Sequence, residues 1–373
     1  MKVLITNAFL DVYAGTQVVV KDLALELRRQ GHEPLIYSPK LGQVAQALKD
    51  AGVVVTDRPG SLTQVPDVIH GQHYPAIESL LRFPHTPAIY VCHGLQGYTD
   101  ALIPFPRILR YVAVDELCRK RVERVPGIER ERIQVIWNAV DLERFPQRDP
   151  LPAKPRRALV FSNNASSGTY LRAVRGACRR AGIELHVAGL LSHNAVPNPQ
   201  HLLPRYDLVF AKARCALEAM AVGNAVVLCD FKGLGPIVST KNFDSLRPMN
   251  FGGGLLVEPH DPVLIRKQIE QYDPEDAAAV CRRVRREAGL VEATHHWIQL
   301  YAAVIEEFSH SERKVDEEHR ALAEYLSEWS YARRVEWEIE QIKKIRSVPV
   351  VGGALAHFAG RILRKRFSVY GIP

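Results

Sequence analysis

Apolar residues in this chain come in short runs of four or five, and between those runs the spacing lengthens to a helical period. In the first half the short runs are KVLIT (2–6), PLIY (34–37), VVVT (53–56), DVIH (67–70), AIYVC (88–92), YVAV (111–114) and QVIW (134–137), each predicted as a strand. Segments such as TQVVVKDLALELRRQG (16–31) lie between them, with apolar positions three and four apart and Gly31 placed to cap the end. Around FPQRDPLPAKPRR (145–157) four prolines and a charge cluster break the pattern, as a linker would. The alternation restarts at ALVFS (158–162), ELHVA (184–188), DLVFA (207–211), AVVLC (225–229) and GLLVE (254–258). This is an α/β pattern of βαβ units and parallel sheets covered on both faces. Two doubly wound, Rossmann-like domains are expected, at 1–150 and 151–310. Ligands in such sheets bind outside the carboxyl ends of the strands, so two facing domains imply a cleft.

From residue 311 the pattern changes to a strand-free helical extension, 311–373, in which Leu322, Leu326 and Trp329 share a face. Trp329 and Trp337 read as packing residues. The net charge of +8 has its origin here: residues 341–373 hold seven Lys and Arg and no Asp or Glu, which leaves the rest nearly neutral. The basic balance therefore belongs to a tail and excludes a nucleic-acid surface on the fold. Within the tail, SVPVVGGALAHFAG (347–360) is too short to span a bilayer and is followed by RILRKRF. Apolar residues flanked by cations suit contact with an anionic membrane surface, set against a packed helix with solvated charges. Six cysteines without a C-x-x-C pair suit buried thiols of a reducing cytosol, and MKVLITNAFL reads as a first strand rather than a signal. A cytoplasmic protein is expected, and the first of the two readings of the tail would make it peripheral at the inner face of the membrane.

One stretch carries more chemistry than the rest: VFAKARCALEAMAVGNAVVLCD, residues 209–230. A strand runs into a turn with Lys212 and Arg214, and a nearly all-apolar helix beginning near Cys215 holds one carboxylate, Glu218. A helix N-terminus flanked by cations suits phosphate. A carboxylate among Leu217, Ala219 and Met220 needs partners, because an unpaired buried charge costs several kcal/mol. Two partners remain open: Arg214 in an i,i+4 pair, or a ligand with adjacent hydroxyls such as a ribose.

LEAMAVGNAVVLCD resembles the LEAMA-x-G-x-P-V-V-x-x-D signature of the retaining glycosyltransferases of GT-B fold, the large family 4 group. Three further segments resemble that family in the right order: GTQVVVKDLALELRRQGHE, YVCHG and IQVIWNAVDLERF. Together they span residues 1–310. The resemblance implies two Rossmann-like domains facing a cleft, with a nucleoside-diphosphate sugar on the second and an acceptor on the first. Glu218 matches the family's ribose-binding glutamate, Gly15 a glycine of the first loop, and His93 the cleft histidine near the transferred sugar. Asn138 and Asp141 match the hinge segment.

Two departures stand out. The family's first glutamate, eight residues before the second, falls on Phe210. Its Arg and Lys for the leaving diphosphate are replaced in the first loop of the second domain by SNNASSG (162–168). Lys212 and Arg214 are expected to bind the diphosphate in their stead, helped by Ser162, Asn163 and nearby backbone N–H groups. His70 and His73 read as polar packing, as do His295 and His296, and DPED (273–276) as a helix start. No H-E-x-x-H, C-x-x-C or D-x-D is present, and NAFLDVYAGTQ is no dinucleotide loop, so neither metal nor cofactor is expected. The expected activity is metal-independent transfer of a hexose-type sugar, with retention, from a nucleoside-diphosphate sugar to a hydroxyl of a glycan, lipid-linked or small-molecule acceptor. The alternatives are a non-catalytic nucleotide-sugar-binding subunit of a glycan-assembly complex, a GT-B epimerase and an NAD enzyme.

Overall fold

The computed structural model describes residues 1–94, 102, 104–166 and 168–327. Two compact units divide the chain, Met1–Glu312 and Arg313–Pro373. The larger unit contains two sheets. The first is built from β1 (Lys2–Thr6), β2 (Glu33–Tyr37), β3 (Val54–Thr56), β4 (Val68–Gly71), β5 (Ala88–Cys92), β6 (Ile108–Ala113) and β7 (Ile133–Val135), with helices α1 (Gly15–Arg29), α2 (Gln43–Asp50), α3 (Pro75–Arg82) and α4 (Glu116–Val122) between strands. Its order is β3-β2-β1-β4-β5-β6-β7, and every pairing is parallel. Strands such as β1 and β5 are buried along nearly their whole length, which is why their sequences run apolar without alternating.

The second sheet holds β8 (Arg157–Phe161), β9 (Glu184–Ala188), β10 (Leu208–Ala211), β11 (Ala225–Asp230) and β12 (Gly233–Ile237). Its helices are α5 (Leu171–Arg180), α6 (Ala213–Val222), α7 (Phe243–Leu246), α8 (Pro262–Ile269) and α9 (Pro274–Glu287). The order is β12-β11-β10-β8-β9, parallel except for the antiparallel edge strand β12. The expected strand at 254–258 is absent. The neighbouring GLGPI forms the edge instead, where proline is tolerated. A Cβ on Gly233 or Gly235 would lie 2.6 Å from Leu256 O or 2.9 Å from Leu255 O, so residues 254–258 cross that edge at backbone distance. Gly31 and Gly223 end α1 and α6 in the left-handed region, as the sequence predicts. DPED opens α9, with Asp273 accepting from Glu275 N and Asp276 N.

The chain crosses between the sheets twice. The first crossing leaves β7 through residues 136–156, and the second runs from α9 through Gly289 into α10 (Leu290–Ser309). The crossings are tied where Val140 N donates to Ala288 O and Leu290 N to Val140 O. α10 then returns to the first sheet, where Trp297 lies 4.9 Å from the ring of His70 on β4 and Tyr301 Oη meets His70 Nδ1 at 2.7 Å.

In the smaller unit residues 315–327 are helical. Its buried positions are Glu318, Ala321 and Tyr325, whereas Leu326 is half exposed, so the expected face at Leu322 and Leu326 is rotated away from the one that packs. Trp329, Trp337 and the basic tail lie outside the described residues. No described helix is long and apolar enough to cross a membrane.

Candidate functional site

In each sheet the strand order reverses once, between β1 and β4 in the first and between β8 and β10 in the second. Such switch points splay the loops at the strand ends and open a crevice. Both crevices contribute to one cavity of about 230 Å³. From the first sheet come Tyr13, Ala14 and Gly15 at the start of α1; from the second come Phe161 and Asn163 after β8, the 189–199 loop after β9, and Arg214, Cys215 and Glu218 of α6. The N-termini of α1 and α6 therefore both abut the cavity. Intrahelical bonding in α1 begins with Val18 N to Ala14 O, which leaves the N–H groups of Gly15, Thr16 and Gln17 pointing out of the helix end.

Glycines make this closeness possible. A Cβ on Gly189, at φ +157°, would come within 1.9 Å of Ser162 O, so the loop after β9 lies directly on the one after β8. Nothing lies within 4 Å of where a Gly15 Cβ would be, so the first turn of α1 faces open space. Asn163 fastens three segments together: its Nδ2 donates to Tyr13 O at 3.2 Å, and its Oδ1 accepts from Leu190 N at 3.3 Å.

The charges form one buried network. Arg214 Nε donates to Glu218 Oε1 at 2.8 Å, so the i,i+4 pair that the sequence leaves open is formed. A terminal nitrogen of Arg214 pairs with Asp22, which sits on α1 only 5% exposed. Lys21 Nζ lies 3.5 Å from Asp22 Oδ1, and Arg144 Nη1 lies 3.7 Å from it. Burial pushes the Glu218 carboxyl above its ordinary range, with Arg214 opposing that shift. Burial also works against the Arg214 charge, but Asp22 and Glu218 outweigh it and hold the guanidinium protonated.

The structure brings Gly15, Asn163, Arg214 and Glu218 to the cavity wall and places the other predicted site residues elsewhere. Lys212 is one of these. It caps α6, but its Nζ lies 2.6 Å from Asp230 Oδ2, and it does not line the cavity. Ser162 Oγ donates to the other oxygen of the same carboxylate at 3.0 Å. Asp230 is fully buried at the end of β11 and needs both partners, which draws Lys212 and Ser162 away. Phe210 is fully buried inside the second sheet's core.

His93, after β5, lines a separate void of about 40 Å³ with Asp22, Trp137, Asn138, Trp297 and Arg214, so Arg214 is the wall shared with the main cavity. Burial, aided by His73 and His70, pushes the His93 imidazole down to about 3, and its buried Nε2 has no partner among the described residues. A larger groove of about 620 Å³ beside β7 and α10 includes Asn138 but none of the residues expected to bind donor. Among the described residues no three His, Cys, Asp or Glu side chains converge as metal ligands would.

Asp22 and Arg144 belong to the network, yet sequence reasoning passed over both. For Asp22 a signal exists: with Glu26 it interrupts the apolar VVVKDLALEL at helical spacing, and Val18, Asp22, Glu26 and Arg29 form one stripe. Arg29 of that stripe pairs with Glu143 at 2.6 Å.

This architecture is that of the GT-B glycosyltransferases. A glycosyltransferase from Rickettsia africae ESF-5 aligns with a TM-score of 0.60 at 15% identity, over 82% of this chain and 98% of that one. Anabaena Alr3699/HepE in complex with UDP-glucose aligns with a TM-score of 0.60 at 13% identity, over 81% of this chain and 100% of that one. In sequence, residues 62–144 match Glycosyltransferase Family 4, and no curated protein matches the chain. The fold and that match bear out the resemblance drawn from the motifs, although the match falls on the first sheet and hinge rather than on the LEAMA helix.

Proposed function

We propose that the protein transfers a sugar from a nucleoside-diphosphate sugar to an acceptor hydroxyl. The observation that carries this reading is the cavity at the two switch points, where two helix N-termini, Arg214, Arg144 and Glu218 meet. The likeness of the fold to Alr3699/HepE, solved with UDP-glucose, supports a donor of that class. In the transfer, the bond from the anomeric carbon to the diphosphate breaks and the electron pair leaves with the phosphate. The acceptor oxygen bonds to that carbon and its proton passes to the departing phosphate or to water. The charge that develops on the diphosphate meets preorganised N–H groups and guanidinium groups, which need no reorganisation in the transition state. Glu218 offers its second carboxylate oxygen, Oε2, to a ribose hydroxyl. The neutral His93 is suited to hydrogen-bonding the sugar and not to carrying a positive charge. Transfer of a hexose with retention and without a metal is the finer reading, resting on the motif resemblance.

Thermal shift with UDP, GDP, ADP, dTDP and NAD tests the reading, because a ligand that binds only the folded state stabilises it. One nucleoside diphosphate is expected to raise Tm for the wild type and not for Glu218→Ala; no shift with any of them refutes the proposal. A second reading, a donor-binding subunit without catalysis, draws support from Phe210 in place of a polar residue and from the confinement of His93 to its small void. Turnover of the donor with a mixed acceptor pool separates the two.

A further inference from the structure

Three cations and two carboxylates make up the buried network: Lys21, Arg144 and Arg214 against Asp22 and Glu218. One positive charge is left without a counterpart, and the three cations do not carry it equally. Arg214 is committed to both carboxylates. Lys21 does not line the cavity; its Nζ leans on Asp22 and over the ring of Tyr13 at 5.7 Å. Arg144 lines the cavity and is held by the segment after β9. Its Nε donates to Gln200 Oε1 at 3.2 Å, and its Nη2 donates to Pro197 O at 3.3 Å. That leaves Nη1, which is buried, lies too far from Asp22 for a hydrogen bond, and has no hydrogen-bond partner among the described residues. An unsatisfied guanidinium N–H costs free energy that an anion would recover.

We propose that Arg144 is the cation that binds the donor's diphosphate, in the cavity that it lines together with Gly15 at the start of α1, in the role expected of Lys212 and Arg214. The assignment rests on the reading of the cavity as a nucleoside-diphosphate site. It accounts for the absence of cations in SNNASSG: the guanidinium comes from the hinge segment instead, held by the loop after β9. The field in the network agrees with it. Burial is the main cause that holds the Lys21 ammonium below its ordinary value, and the charges of Arg144 and Arg214 add to that effect. An anion beside Arg144 relieves that repulsion.

The test compares the full-length wild type, Arg144→Gln and Arg144→Lys by calorimetric titration. The probes are the four nucleoside diphosphates UDP, GDP, ADP and dTDP, the matching nucleosides and inorganic pyrophosphate. Arg144→Gln leaves Asp22 paired to Arg214 and Lys21, so the variant is expected to fold, and its melting curve without ligand checks this. Loss of one charge-assisted contact is expected to weaken the diphosphate about 10- to 100-fold. Pyrophosphate weakens in parallel, nucleoside affinity stays unchanged, and lysine restores part of the loss. An equal loss for nucleoside and diphosphate marks Arg144 as merely structural and overturns the assignment, as does unchanged diphosphate binding. Absence of diphosphate binding by the wild type itself overturns the functional reading and the assignment with it.

Discussion

Asp22→Asn tests the architecture of the site without assuming any ligand. The carboxylate is 5% exposed on α1, in the first sheet's half of the fold, and its strongest partner is Arg214 at the start of α6. The amide keeps the shape and one acceptor oxygen but removes the charge, so Lys21, Arg144 and Arg214 then face Glu218 alone. Breaking a buried ion pair from one side costs about 3–5 kcal/mol, because the partner stays buried and uncompensated. Here the amide still accepts a hydrogen bond, and Arg214 keeps Glu218 at 2.8 Å, so the lower end, about 3 kcal/mol, is the expected loss. At about 2–4 °C per kcal/mol for a protein of this class, Tm falls by about 6–12 °C in a calorimetric scan. Asp11→Asn is the control. Asp11 pairs with Lys40 at 2.7 Å, but that lysine is 61% exposed, and surface pairs contribute about 0–1 kcal/mol. Pyrophosphate is expected to recover more stability in Asp22→Asn than in the wild type, since the variant has the larger surplus of positive charge. Equal, small losses in the two variants would show that the interdomain pair carries no stability, and the reasoning would fail.

Acid should destabilise the protein well above the carboxylate range. Burial pushes His70 down to about 3 and His73 to about 4, so both are neutral when folded and take up protons only on unfolding. Their stabilisation is complete above about pH 6.5 and is lost as pH falls toward 4; at pH 5 each has lost about 2 kcal/mol. Glu218, raised by burial, acts in the opposite sense, its contribution falling as pH rises through the ordinary carboxylate range. Urea midpoints from pH 7.5 to 5 should therefore fall, and a flat profile would exclude neutral buried imidazoles. Gly189→Ala sets a Cβ 1.9 Å from Ser162 O at φ +157°, so a loss of about 3 kcal/mol or more is expected, together with the nucleotide-induced thermal shift. An unchanged urea midpoint would mean that the two loops do not meet as described.

How far these properties were legible in the sequence follows from the range of the interactions that set them. Strand positions such as 2–6 and 88–92 were readable because a strand buried on both faces must be apolar throughout, and that is a local property. β12 was missed because GLGPI has the composition of a loop. It is a strand only because β11 lies beside it and residues 254–258 cross it, neither of which is local. The site follows the same division. Glu218 declared itself by its apolar neighbours, Gly15 by the motif resemblance, and Asn163 by its place in the loop after β8. Lys212 and Arg214 are two residues apart and read as one pair of cations, yet they diverge. The partner of Lys212 is Asp230, at the end of the adjacent strand, and the partner of Arg214 beyond its own helix is Asp22, in the other half of the fold. Which cation remains available to a ligand therefore depends on which carboxylates the folded chain has already assigned. That is settled by a sheet neighbour and by an interdomain contact, not by spacing. By this count the available guanidinium is Arg144, in a hinge motif whose sequence looks structural, and so a cation missing from the expected loop is better sought among the unpaired donors around the cavity than among the nearest basic residues in the chain.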